Sequence, residues 1–373
     1  MNMENKKIKS IRIKNFKSIQ DIDVNLGELT LLFGMNGMGK SSTIQTLLMC
    51  RQSEWRMDNR NVNRLYINGD LVKLGTAGDV FCENAVGYEM QFDIKYDKGE
   101  NLLIFEFPQK EIHANSFKRV NAKENKLVRG PEYGKNFAYL AAEHVGPRHR
   151  YNYSNWNETD INCFGLHGEY CVPYLAMHGD KFKVPMQLCL EDAKSPFLIH
   201  QVSAWLKRVS PGVRLNTELL AAEQEAKLKI SYDVKREVSN GYAPVNVGFG
   251  IPYVLPIVVA ILTMPPGGLI LLENPESHLH PRGQSAMAEL MARAASYGIQ
   301  IVCESHSDHI INGVRVAAKE KLISGENVAI QYYYKDENMN TLVESIRMDD
   351  YGNLDCYPEG LLDEWGELMS RLL

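Results

Sequence analysis

Residues 34–41 read Gly34-Met35-Asn36-Gly37-Met38-Gly39-Lys40-Ser41, and this octapeptide constrains the fold more than any other stretch. Its glycines suit a turn whose backbone N–H groups point inward, a conformation that residues with a Cβ adopt poorly. The run Leu29-Thr30-Leu31-Leu32-Phe33 before it is short and apolar, as expected of a strand buried on both faces of a parallel sheet. After it, Ile44, Leu47 and Leu48 recur at helical spacing, predicting a helix over 41–52 that packs one face on that sheet. Strand, glycine-rich turn and helix together make a phosphate-binding loop. ATP and Mg²⁺ are the expected cofactors. Gly34, Asn36, Gly37, Gly39, Lys40, Ser41 and Ser42 are the expected contacts. Backbone donors and the helix N-terminus take phosphate oxygens. Lys40 reaches the β- and γ-phosphates, and the Ser41 hydroxyl ligates Mg²⁺.

Downstream, Leu269-Ile-Leu-Leu272 delivers Glu273 to the carboxyl end of a second apolar strand, where ligands of open α/β sheets bind. Glu273 is the expected Mg²⁺ ligand, through water. The position after it, where a general base for the attacking water often stands, holds Asn274, and an amide does not accept a proton at neutral pH. Glu276 is the nearest carboxylate and the candidate base; the alternative is that it only caps the following turn. Cys303-Glu304-Ser305-His306 ends the next strand, and His306 is placed to sense the γ-phosphate. Asn246-Val-Gly248-Phe-Gly250 opens an apolar helix. A second glycine-rich helix start is a second anion site, and Asn246, Gly248 and Gly250 are read as serving a neighbouring subunit. His278 and His280 form an H-x-H pair without a third ligand at convincing spacing, so they are read as structural or dimer-contact residues rather than a metal site.

The remaining composition narrows the setting. Net charge is −5 over 373 residues, which argues against a surface coated for nonspecific nucleic-acid binding. A local basic stretch lies in 109–135: Lys110, Lys118, Arg119, Lys123, Lys126, Arg129 and Lys135 against Glu111, Glu124 and Glu132. Seven cysteines without a CxxC pair fit reduced thiols in a cytoplasm and no zinc module. The polar N-terminus MNMENKKIKS lacks a signal-peptide core. The longest apolar run, Ile251 to Met264, falls short of the roughly 20 residues of a membrane span. A soluble, cytoplasmic protein is expected. Residues 8–33 read as two strands. Alternation at 88–96, 102–107 and 227–234 predicts strands, and 197–209 a helix. After 245, helices near 250–264, 281–296 and 307–320 alternate with strands at 269–272, 299–303 and 328–334, implying a mainly parallel sheet. The domain reading is an ATPase core from 1–52 and 240–373, a β-rich lobe at 53–150 and an inserted helical and β region at 151–239.

Asn15-Phe16-Lys17-Ser18, the GMNGMGKSS loop, ENPESHLHP and ESHSDHIINGVR together resemble the ABC-type ATPase heads of the SMC, RecF and OLD group, and most closely the small AAA-like ATPases of bacterial genomes and phage-defence loci. Tyr357-Pro358-Glu359-Gly360-Leu361-Leu362-Asp363-Glu364-Trp365 looks like the closing segment of an uncharacterised domain of that subgroup, and Val145-Gly146-Pro147-Arg148 is similar to its Q-loop region. The resemblance implies an α/β P-loop NTPase of ABC type: a mainly parallel sheet flanked by helices, with a β-rich lobe and a partly helical insert. It implies two heads dimerising, or assembling further, around ATP held between one subunit's loop and the other's turn at 246–250. Ser277 to His280 match the D-loop, and His306 the switch histidine. Two departures stand out: Asn274 replaces the usual catalytic glutamate, so turnover is expected to be slow, and no long coiled coil is present for SMC-style DNA tethering. The expected role is an ATP-dependent switch controlling a partner effector, a nuclease or toxin, in antiphage defence. The alternative is a DNA-end or repair ATPase binding nucleic acid through the basic stretch. No membrane partner is expected.

Overall fold

The computed structural model describes residues 6–55, 63–122, 127–153, 164–234, 237–248 and 250–372. Lys123, Glu124, Lys126, Cys163 and Phe249 lie outside these. The chain divides into two compact units, one of residues 1–134, 326–348 and 354–373, the other of 135–325 and 349–353.

The first unit contains an antiparallel sheet in the order Ile19–Asn25, Ile8–Phe16, Glu89–Tyr96, Glu100–Glu106, Ser116–Arg119, Arg64–Tyr66. Where the sequence predicted two strands over 8–33 there are three. Asn15 and Lys17, at φ 55° and 53°, reverse the chain tightly enough for Ile19–Asn25 to fold back on Ile8–Phe16. Asn and other short polar residues tolerate this left-handed geometry best. Ile19, Ile22 and Val24 then alternate inward. The Asn15 amide fixes the turn, donating to the carbonyls of Val86 (3.1 Å) and Glu89 (2.7 Å).

In the same unit Leu29–Gly34 pairs in parallel with Val328–Lys335, which pairs antiparallel with Thr341–Ile346. The helix Lys40–Trp55 follows the glycine-rich turn. It buries Ile44, Leu47 and Leu48 as expected, and also the polar Arg51, Gln52 and Ser53. Buried polar groups need partners, and each of these three side chains makes at least one hydrogen bond. Gln52 donates to Tyr66 O at 2.7 Å and accepts from Val72 N at 3.1 Å. Ser53 accepts from Tyr66 N at 2.8 Å, and Arg51 donates to the carbonyls of Glu132 and Gly134.

The second unit carries three parallel strands, Phe137–Leu140, Leu269–Glu273 and Gln300–Glu304. The helices Gly250–Thr263, Pro281–Ser296 and Asp308–Lys319 accompany them. The last two pack closely at Gly313, where an added Cβ would come within 2.6 Å of Ala288 Cβ. Helix Leu198–Val209 and the hairpin Val213–Leu220 with Glu225–Val234 complete it; the helix and the second strand lie close to the boundaries expected, whereas Val213–Leu220 was not anticipated. Strand Phe137–Leu140 and helix Cys171–His178 were not anticipated.

Glu132 is the buried group whose charge bears most on stability. It is fully buried, and burial pushes its carboxyl up to about 7, although the Tyr96 hydroxyl donates to it. A carboxyl raised above its unfolded value contributes stability that is complete below the unfolded value and is lost as pH rises through the folded one. Glu132→Gln keeps the acceptor and removes the charge. It should resist urea better than wild type near pH 8, by about 1–3 kcal/mol, with the gap closing near pH 5. Equal stability at both pH values would contradict the assignment.

Candidate nucleotide-binding and hydrolysis site

The glycine-rich loop adopts the backbone its sequence implies. Gly34, Gly37 and Gly39 have φ of 131°, 77° and 102°, all in the region that disfavours side chains. A Cβ at Gly34 would meet Tyr333 O at 2.2 Å and one at Gly39 would meet Thr341 Oγ1 at 2.8 Å, whereas Gly37 has nothing within 4 Å. The loop is therefore fastened at both ends and open at its middle. Lys40 is 2% exposed, and its ammonium donates to Gly34 O and Met35 O, both at 2.8 Å. Ser41 is half-buried and Ser42 buried at the helix start, and Asn36 is exposed on the loop.

Thr341 clamps the loop from the far end of the chain. Its hydroxyl donates to Met38 O at 3.0 Å and lies 2.8 Å from Ser18 Oγ. A hydroxyl has one proton to give, so Ser18 is the donor of that second bond. Lys17 reaches Gln45 Oε1 on the loop helix at 2.6 Å, and Thr43 Oγ1 meets the Tyr333 hydroxyl at 2.7 Å. The Asn15–Ser18 stretch thus supports the phosphate loop directly.

In the second unit, Glu273 ends its strand in register with Glu304. The Glu273 carboxylate accepts from the Tyr139 hydroxyl (3.0 Å) and from Ala142 N (3.2 Å), so its direction is fixed. Asn274 follows at φ 49° with its N–H on Glu304 O at 2.9 Å. Glu276 Oε1 accepts from His306 N at 2.7 Å, and Ser305 also donates to this carboxylate. Burial outweighs these bonds and raises the Glu276 carboxyl above the ordinary glutamate range; nearby Glu304 adds to the effect. Two buried acceptors of this turn, Asn274 Oδ1 and Glu276 Oε2, have no hydrogen-bond partner among the described residues. Such atoms are uncommon in folded proteins, and here two of them share one turn. The His306 ring is part-exposed, with Nε2 4.0 Å from Glu304 Oε1.

These contacts bring Glu273, Asn274, Glu276 and His306 together on neighbouring strand ends. They also show three residues that sequence reasoning missed. Tyr139 and Ala142 lie on and after a four-residue strand with no periodicity to read. Glu304 was visible only as a second acid at a strand end.

Asn246 and Gly248 are exposed, with no atom near a Cβ at Gly248. A Cβ at Gly250 would come within 2.9 Å of His278 O, so the glycine turn packs on the Ser277–His280 segment. His278 (φ 61°) sets its ring edge-on to Tyr253 at 4.5 Å. His280 caps helix Pro281–Ser296, accepting from Arg282 N at 3.4 Å. Among the described residues no group of three or more His, Cys, Asp or Glu could hold a metal ion. The basic stretch is less basic at its surface than its composition suggests: Arg119 is 4% exposed and Arg129 is paired with Glu54. No helix among the described residues is long and apolar enough to cross a membrane.

The loop geometry separates two substitutions. Gly34→Ala should lower unfolding free energy by about 2 kcal/mol or more, from strain and the Tyr333 clash. Gly37→Ala, strained but unobstructed, should cost about 1 kcal/mol. Chemical denaturation of both variants checks this, and equal losses would contradict it.

Residues 7–156 match an AAA ATPase domain, residues 167–312 match an AAA domain described as a putative AbiEii toxin of type IV toxin–antitoxin systems, and residues 323–372 match a domain of unknown function. No curated protein matches the chain. Among solved structures it is similar to the Smc head with an extended coiled coil bound to the C-terminal domain of ScpA, from Pyrococcus furiosus. That match has a TM-score of 0.51 at 11% identity, over 98% of this chain and 99% of that one. The SMC head from Thermotoga maritima matches with a TM-score of 0.47 at 10% identity, over 92% and 100%. The chain thus matches AAA-type ATPase domain models over two separate stretches and shares the fold of an SMC head.

Proposed function

We propose that the chain binds and hydrolyses ATP with Mg²⁺, and that ATP joins two copies head to tail in a switch that controls a partner effector. The observation that carries this reading is the loop itself: three glycines at positive φ, and a buried Lys40 whose ammonium donates to the loop's own carbonyls at Gly34 and Met35. A triphosphate offers that lysine stronger, charge-assisted partners. Loop N–H groups and the helix start bind phosphate oxygens. Ser41 and Glu273 are the residues that would hold Mg²⁺, whose charge offsets that of the β- and γ-phosphates. A single carboxylate, a hydroxyl and phosphate oxygens suit this ion, which keeps several waters.

Glu276 accepts the proton of the attacking water. Its raised carboxyl pKa brings it closer to the range of an effective base at neutral pH, and Asn274 Oδ1 takes the water's other proton in a hydrogen bond without removing it. His306 couples the γ-phosphate to Glu276 through its own N–H. One base working beside an amide implies slow turnover, as a switch needs. The exposed, uncrowded Gly248 and Asn246 favour a surface that meets the loop of a second copy. An SMC head of this fold is known with a ScpA domain bound, and the AbiEii description of one matched domain favours a toxin or nuclease as effector in antiphage defence. The burial of Arg119 and pairing of Arg129 count against the alternative of a DNA-repair ATPase using the basic stretch.

Lys40→Ala should lose ATP binding measured calorimetrically; retained micromolar affinity would remove the loop assignment. Glu276→Gln should keep ATP affinity within about threefold while turnover falls by 10²–10⁴, the usual contribution of a positioned base. Unchanged phosphate release would exclude Glu276 as the base.

A further inference from the structure

Beside the phosphate loop, wholly within the first unit, lies a cavity of about 710 Å³, in the range of small-molecule sites. Met35 and Met38 of the loop, Tyr332 and Tyr334 of the adjoining strand, and Pro358 and Gly360 of the C-terminal tail line it. The tail is held there deliberately. The Tyr332 hydroxyl donates to Glu359 O at 2.7 Å, and Gly360 N donates to Asp363 Oδ2 at 2.7 Å. Gly360, at φ 84°, is the residue that permits this approach, since a Cβ there would stand 2.8 Å from the Tyr332 hydroxyl.

The chemistry of the lining selects its occupant. The Tyr332 and Tyr334 rings are parallel to within 23°, with centroids 6.4 Å apart. Tyr334 is 39% exposed and Met35 68% exposed, so a flat aromatic face and a flexible apolar side chain both meet the cavity. Of the charged groups lining it, Glu344, Glu359 and Asp363 outnumber Lys335. This excess of carboxylates repels a phosphate and accepts hydrogen bonds from ring amines. A planar ring with an exocyclic amine satisfies both demands, and Met38 stands only two residues before the phosphate-binding Lys40.

We propose that this cavity receives the purine base of the nucleotide whose phosphates the loop holds, with Tyr334 as the stacking surface and Glu344 as the acceptor for its exocyclic amine. The C-terminal segment 357–363 then sets base selectivity. This inference rests on the ATP-binding reading above.

The test compares ATP with inorganic tripolyphosphate, each with Mg²⁺, by calorimetry on the full chain. Tyr334→Ala should weaken ATP about tenfold or more, the scale of base–aromatic stacking, and leave tripolyphosphate unchanged; Tyr334→Phe should retain ATP affinity. Glu344→Gln should narrow the preference for ATP over inosine triphosphate, which lacks the amine. Unaltered ATP affinity in Tyr334→Ala, or equal weakening of both ligands, would overturn the base site while leaving the phosphate loop intact. If wild type and Lys40→Ala bind tripolyphosphate equally, the nucleotide reading itself fails.

Discussion

The phosphate loop depends on a contact made 303 residues further along the chain, the hydrogen bond from Thr341 to the Met38 carbonyl. Three glycines with positive φ are an entropic cost, because glycine surrenders more freedom on ordering than any other residue. A loop so composed keeps one shape only when something outside it fixes the ends. Here the strand Val328–Lys335 crowds Gly34 through Tyr333, and Thr341 crowds Gly39. Ser18 completes the clamp from the N-terminal turn. The first and last parts of the sequence are therefore one structural element, and the matched domain of unknown function at 323–372 includes the residues that give the phosphate loop its shape.

The acid-bearing turn is built on a different principle. Glu273 is held by two donors, whereas Glu276 is part-buried, with one oxygen satisfied and the other, itself buried, left without a partner among the described residues. Burial without full pairing is costly, and the structure carries this cost at Asn274 Oδ1 and Glu276 Oε2 together. Replacing the usual second acid with Asn274 removes a charge that would otherwise stand beside Glu273 and Glu304. It also suits the backbone, since Asn tolerates the φ of 49° there better than most residues.

What could be read from sequence follows from how local each feature is. The phosphate loop, the apolar strand before Glu273 and the helix at 281–296 declare themselves within a dozen residues, through glycine spacing, apolar runs and periodicity. Thr341, Tyr139 and Ala142 do not. Each acts through a contact distant in sequence, from elements too short to show a pattern. The third strand at Ile19–Asn25 shows little in sequence, because its inward residues Ile19, Ile22 and Val24 alternate irregularly over only seven positions. Composition counts charges without placing them: within the basic stretch Arg119 is buried and Arg129 pairs with Glu54. The tail at 357–363 was legible only as a resemblance, and its place beside the loop came from the structure.

The central claim is that ATP changes how the heads associate, and sedimentation velocity of the wild-type chain tests it most directly, run without nucleotide and with ATP-Mg²⁺. The account predicts conversion of monomer to dimer with ATP and reversal as ATP is consumed. A sedimentation coefficient that stays the same while ATP is demonstrably bound would contradict it, and would show that Asn246, Gly248 and Gly250 do not meet the nucleotide of a second copy.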